Sequence, residues 1–121
     1  MELPVQITFH DVDHSDAVET RIREKVEKLE QYYDRIIGCR VTVEAPHKHH
    51  HKGKLYTIRI DLTLPGGEIV VAHDNHNDHA HEDVYVAIRD SFEAMRRQLK
   101  KHVRQVREKQ TKAAREAKAG D

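Results

Sequence analysis

Residues 56–72 read Tyr-Thr-Ile-Arg-Ile-Asp-Leu-Thr-Leu-Pro-Gly-Gly-Glu-Ile-Val-Val-Ala. Tyr56, Ile58, Ile60, Leu62 and Leu64 alternate with polar residues, the period of a strand with one buried face. Pro65-Gly66-Gly67 is a tight-turn signal, and Ile69 to Ala72 returns as a strand antiparallel to the first. A hairpin with one apolar face needs a cover. Upstream, Leu3, Val5, Ile7 and Phe9 alternate as a strand, with Pro4 marking an edge or a strand end. Cys39, Val41, Val43 and Ala45 alternate as another. Between them Ser15 is placed to N-cap a helix running to about Ile37. Its apolar residues Val18, Ile22, Val26, Leu29, Tyr33 and Ile36 share one face, and Gly38 reads as the residue that ends it.

Downstream, a second helix begins near Asp83, with Val84, Ile88, Phe92, Met95, Leu99, Val103 and Val106 as its apolar face. The order is therefore β-α-β-β-β-α. This predicts an α+β fold: a four-stranded sheet with two roughly parallel helices packed on one face and water on the other. Pro46–Gly53 and His73–Glu82 read as polar loops. Residues 1–107 form the expected domain. Residues 108–121 are a basic C-terminal tail without an apolar stripe, a frayed helical extension or a mobile end.

The 121 residues are 37% hydrophobic and 35% charged, enough for one domain with one modest core. The single cysteine, Cys39, forms no internal disulfide, which fits a reducing cytoplasm. The N-terminus has no signal-peptide pattern, and no run approaches the ~20 apolar residues of a membrane span. The formal charge is zero, 21 Lys+Arg against 21 Asp+Glu, but it is unevenly spread. Residues 1–83 hold 10 basic and 16 acidic residues, and residues 84–121 hold 11 and 5, so the two parts carry −6 and +6. Arg96, Arg97, Lys100, Lys101, Arg104 and Arg107 follow one another with no acid between them. Polyanions, RNA above all, suit such a surface.

Advancing about 100° per residue, Arg21, Lys25, Lys28 and Arg35 fall on one flank of the first helix, with Glu19, Glu27, Glu30 and Asp34 on the other flank and back. On the second helix Arg89, Arg96, Lys100 and Arg107 lie on a flank of opposite hand, with Arg97 and Arg104 further round. In parallel helices such flanks either face each other across a groove or both point outward. The first arrangement makes a basic cleft of phosphate-backbone width. Charges paired along a solvated helix face are the plainer account, weaker for the second helix because its basic run has no acids to pair with.

The same residues carry a family resemblance. Asp83-Val84-Tyr85-Val86-Ala87-Ile88, followed by Met95-Arg96-Arg97-Gln98-Leu99-Lys100-Lys101-His102, resembles the second-helix signature of the ribosome hibernation promoting factors, also called ribosome-associated inhibitors or sigma-54 modulation proteins. Ser15, Ile22, Val26 and Lys28-Leu29-Glu30 resemble its first helix, and the likeness covers roughly residues 3–106. It implies a fold similar to a double-stranded RNA-binding domain. It also implies a cytoplasmic protein, monomeric when free, that binds the small ribosomal subunit and its ribosomal RNA where messenger and transfer RNA lie. Such a protein inhibits translation in stationary phase or stress, and membrane and DNA are not its partners.

The resemblance carries RNA contact onto Arg21, Lys25, Lys28, Arg96, Arg97, Lys100 and Lys101; the flank geometry adds Arg89 and Arg104. Arg89 stands where the family usually has an acid, and Ala94 where a Lys is common. Long members carry a further dimerisation domain, so this chain reads as a short form with a basic tail.

Eleven histidines are many for this length. His47, His49, His50 and His51 crowd one loop; His73, His76, His79 and His81 crowd another among carboxylates. Imidazole and carboxylate are ligands for zinc or nickel, which makes a His-rich metal-binding protein one alternative and a generic structured-RNA binder the other. No spacing matches a defined metal site, however, and loop contact with water or RNA is the plainer reading. Histidines in such loops also gain charge as a starving cell acidifies. Ser15 and Ser91 have no nucleophile-elbow context, no Gly-rich phosphate loop is present, and Cys39 sits on an apolar strand face. The chain reads as a non-enzyme with no cofactor.

Overall fold

The computed structural model describes residues 3–45, 55–72 and 83–119. Its elements are β1 (Val5–His10), α1 (Asp16–Tyr32), β2 (Gly38–Glu44), β3 (Thr57–Leu64), β4 (Gly67–Ala72) and α2 (Val84–Ala119). The four strands form one sheet in the order β1-β2-β3-β4. β1 runs parallel to β2, as a strand–helix–strand crossover requires. β3 is antiparallel to both β2 and β4.

The register turns the period-2 pattern into rows. Ile7, Val41, Ile60 and Val71 are successive partners across all the strands. Val5, Cys39, Leu62 and Ile69 make a second row, and Phe9, Val43 and Ile58 a third. Central-strand residues in these rows are fully buried, while those of β1 are half-buried, because the helices cover the middle of the sheet best. The other face carries Gln6, Arg40, Asp61 and Val70 in one row and Thr8, Thr42, Arg59 and Ala72 in the next. It is mostly polar and bears an Arg59–Asp61 ion pair at 3.1 Å.

From the helices, Val18, Ile22, Val26 and Leu29 of α1 and Ile88, Phe92, Met95, Leu99 and Val103 of α2 complete one core. Ala87, Ser91 and Ala94 are also buried. They lie on the side of α2 away from α1, where small side chains permit close approach, a stripe the apolar pattern alone did not reveal. The Ser91 hydroxyl has no hydrogen-bond partner among the described residues.

One boundary differs from the sequence reading, and one open alternative is decided. α1 stops at Tyr32 instead of about Ile37: Tyr33 is extended (φ −142°, ψ 113°) and its N–H closes the last turn on Leu29 O at 2.9 Å. The following backbone is claimed by the sheet, where Ile37 N–H donates to Thr63 O at 2.8 Å and Gly38 opens β2 instead of ending the helix. At the other end, α2 runs on past Glu108 to Ala119, so of the two alternatives for the tail, a helical extension or a mobile end, the structure shows the helical extension. The segment lacks Gly and Pro and is rich in Ala, Lys, Arg, Glu and Gln, and the packed turns before it have already met the cost of nucleation. The side chains of residues 107–117 are all exposed.

Gly66 has φ +79° in the β3–β4 turn, the left-handed value required at the third position of a type II turn whose second residue is Pro65. Gly66→Ala is expected to cost about 1–2 kcal/mol in urea unfolding. Gly67→Ala, at ordinary φ with open space around a Cβ, is expected to be neutral.

Candidate nucleic-acid interface

Two caps set the helices in place. The Ser15 hydroxyl accepts from Val18 N–H at 3.3 Å and starts α1. Asp83 caps α2: its carboxylate accepts from Tyr85 N–H at 2.9 Å and its carbonyl from Ala87 N–H at 3.1 Å. Asp83 thereby fixes the direction in which Tyr85 leaves the first turn.

The helices run in the same direction. Arg21 of α1 lies over the ring of Tyr85 near the start of α2, at 5.2 Å from the centroid. Tyr32 at the end of α1 lies under Arg96 of α2, at 5.8 Å. Between these pairs a groove of about 180 Å³ is lined by Lys25, Lys28, Leu29 and Tyr32 from α1 and Arg89, Phe92, Glu93 and Arg96 from α2. The basic flanks therefore face each other. Leu29 and Phe92 form an apolar floor, and the cations stand above it.

Beyond the end of α1 the basic surface continues along α2. A wider concavity of about 680 Å³ is bordered by Tyr32, Lys100, Arg104, Arg107, Lys112 and Arg115, with Glu108 as its acid. The structure thus brings Arg21, Lys25, Lys28, Arg89, Arg96, Lys100 and Arg104 onto one track. Arg97 and Lys101 are exposed but lie one residue further round α2, outside these linings. Arg35, past the shortened helix, borders a separate hollow with Tyr33, Val106 and Arg107.

Besides Glu108, three acids temper the track. Arg21 Nε lies 3.6 Å from Glu24, Arg89 holds Asp90 at 3.1 Å, and Glu93 stands inside the groove. Glu27 and Glu30 line none of it. Glu19 faces away, toward Arg23 at 3.0 Å and His14 at 3.2 Å. Sequence reasoning missed Tyr32 and Glu93. Tyr32 follows Lys25 and Lys28 at steps of three and four on the same flank, a signal present in the spacing but hidden by attention to charge. The eight loop histidines named above (His47, His49, His50, His51, His73, His76, His79 and His81) lie outside the described residues. Elsewhere, His10 with Asp11 and Glu44, and His14 with Asp16 and Glu19, form groups of ligand type whose Glu is half-buried and whose other members are exposed, held by contacts of 3.1–3.5 Å among themselves.

The sequence profile of the family described as Sigma 54 modulation protein / S30EA ribosomal protein matches residues 5–107. The chain belongs to this family. The S30EA match takes in every strand, α1 and the packed part of α2. The chain is 34% identical over 102 residues to the ribosome hibernation promoting factor of Azotobacter vinelandii, covering 83% of this chain and 82% of that one. It is 31% identical over 100 residues to the factor of the same name from Escherichia coli K12, covering 83% and 93%. A ribosomal subunit interface protein from Coxiella burnetii shares the fold, with a TM-score of 0.66 at 19% identity over 83% of this chain and 97% of the other. Within this S30EA chain no described helix is long and apolar enough to cross a membrane.

Cys39 lies in the core beneath the helices. Burial, aided by the negative charge of Asp61, pushes its thiol up to about 12 from 9.0, the reverse of what a nucleophile needs. Because the folded value is the higher one, stability is full below pH 9.0 and is lost as pH rises toward 12. Cys39→Ala is expected to flatten that alkaline loss by up to about 1.4 kcal/mol per pH unit, and a thiol reagent at pH 8 is expected to label the wild type only when it unfolds.

Proposed function

We propose that this chain is a ribosome hibernation factor that occupies the messenger and transfer RNA channel of the small ribosomal subunit and blocks translation by occupancy, without chemistry of its own. One observation carries the reading: two parallel helices face each other with Arg21, Lys25 and Lys28 on one side and Arg89 and Arg96 on the other. Like charges gathered over an apolar floor repel one another; a phosphate backbone relieves that repulsion, and the cations release the counterions condensed on it. The names of the relatives support the ribosome as the source of that backbone. Arg97 and Lys101, outside the groove, are placed to meet flanking phosphates.

Sedimentation with small subunits tests the reading. Binding is expected at low salt and to weaken steeply as salt rises, with a slope of log K of about −0.7 to −0.9 per neutralised phosphate. Arg96→Glu with Lys100→Glu is expected to abolish binding while the thermal midpoint stays nearly constant, because exposed charges contribute little to stability. Reversing Glu27 and Glu30 is expected to leave binding intact; equal harm from both pairs refutes the groove. Equal competition by bare duplex RNA would instead mark a generic RNA binder.

The helical prolongation of α2 adds a second expectation. Removing residues 109–121 deletes Lys112 and Arg115 from the wider concavity, and the described side chains it removes, those of 109–117, are all exposed. The truncated protein is expected to keep its thermal midpoint, to lose helical signal in circular dichroism, and to inhibit translation less than the full chain at matched ribosome occupancy.

A further inference from the structure

The two tyrosines of the groove hold symmetrical positions. Tyr85 of α2 lies at one end beneath Arg21 of α1, and Tyr32 of α1 lies at the other beneath Arg96 of α2. Each pair bridges the helices with the same numbering offset, 85 − 21 = 64 and 96 − 32 = 64. Tyr85 and Tyr32 are 37% and 38% exposed, so neither is an ordinary core residue. Tyr32 in addition borders the groove, the wider concavity along α2 and the hollow beside Arg35, standing where all of them meet.

A lone arginine on a solvated helix samples many rotamers, and a phosphate must pay to order it. A guanidinium laid on an aromatic face keeps its plane fixed, yet its N–H edge stays free, because the ring engages the flat face and not the donors. Such an arginine is preset for two parallel hydrogen bonds to phosphate oxygens. We infer that the two pairs are phosphate-binding stations for RNA in the groove, with Tyr32 and Tyr85 as positioning residues that hold Arg96 and Arg21 ready. The inference rests on the RNA-binding reading above and specifies how that site grips its ligand. Arg96 makes the stronger station, since it has no ion pair among the described residues, whereas Arg21 shares its charge with Glu24. Tyr32 and Tyr85 ride on helices whose matched positions are eleven residues apart, 32 − 21 and 96 − 85. At a rise of ~1.5 Å per residue the stations stand about 16 Å apart, several times the spacing of adjacent stacked nucleotides of one strand, ~3.4 Å or less. They therefore take separated phosphates, not neighbours.

A double-mutant cycle on the full chain, read as affinity for isolated small subunits alongside the thermal midpoint, tests this. Tyr32→Leu is expected to weaken binding about threefold to tenfold with the midpoint unchanged, and Tyr32→Phe, which keeps the ring, to bind as the wild type does. Arg96→Lys keeps the charge but loses the planar fork, and is expected to weaken binding to a similar degree. Tyr32→Leu combined with Arg96→Lys is expected to bind no worse than Arg96→Lys alone, because ring and guanidinium act as one unit. Additive losses overturn the inference. So does a Tyr32→Phe loss equal to that of Tyr32→Leu, which would mean that the hydroxyl contacts RNA, or a loss that follows a lowered midpoint, which would make the pair a structural staple. Absence of wild-type binding at low salt would instead refute the RNA-binding reading, and this inference with it; additive losses beside firm wild-type binding refute the inference alone.

Discussion

Covering the rows Val5–Cys39–Leu62–Ile69 and Ile7–Val41–Ile60–Val71 is the constraint from which the rest of the structure follows. One helix is too narrow to shield four strands about 4.8 Å apart. Two are needed, and both must lie with their apolar stripes down. Removing apolar surface from water is worth roughly 25 cal/mol per Å², so side chains as large as Ile22, Ile60, Met95 and Leu99 leave the helices little freedom to roll. Once the rolls are fixed, each flank is fixed too. The basic flanks meet over the seam because the stripes beneath them demand it.

The groove is thus an electrostatic consequence of hydrophobic packing. Its cations repel, but at an exposed surface the cost is modest: two unit charges 4 Å apart interact by about 1 kcal/mol in water, and salt screens them further. Glu24, Asp90 and Glu93 offset part of it. The Arg–Tyr contacts offset more without cancelling charge, since a ring face attracts a cation and leaves it a cation. The result is a positive track tolerable in the free protein and still available to a polyanion. The same packing buries Cys39 between sheet and helices, and that burial is what raises its thiol value.

Much of this was legible in the residues alone. The alternation in 56–64, the Pro65-Gly66 turn and the three-and-four spacing from Val18 to Leu29 specify elements by local periodicity, and the helix flanks with their opposite hands follow from the same arithmetic. Family membership was legible in the Asp83-to-Ile88 and Met95-to-His102 stretches. Local pattern failed where a distant partner decided the outcome. Ile36 continues the helical spacing of α1, yet the helix ends at Tyr32 because the sheet captures Ile37 N–H through Thr63, a residue more than twenty positions away. Ser91 reads as polar, yet is buried where α2 needs a small side chain.

The sequence by itself determined where the strands and helices lie, save the end of α1, which faces are apolar and where positive charge gathers, because these depend on spacing within a few turns of chain. Only the tertiary structure decided that the basic flanks face inward across a groove instead of outward. It alone paired Arg21 with Tyr85 and Arg96 with Tyr32. Those relations join residues 64 positions apart, and no periodicity within one helix encodes the roll and stagger of another; both are set by how two apolar stripes fit the same twisted sheet.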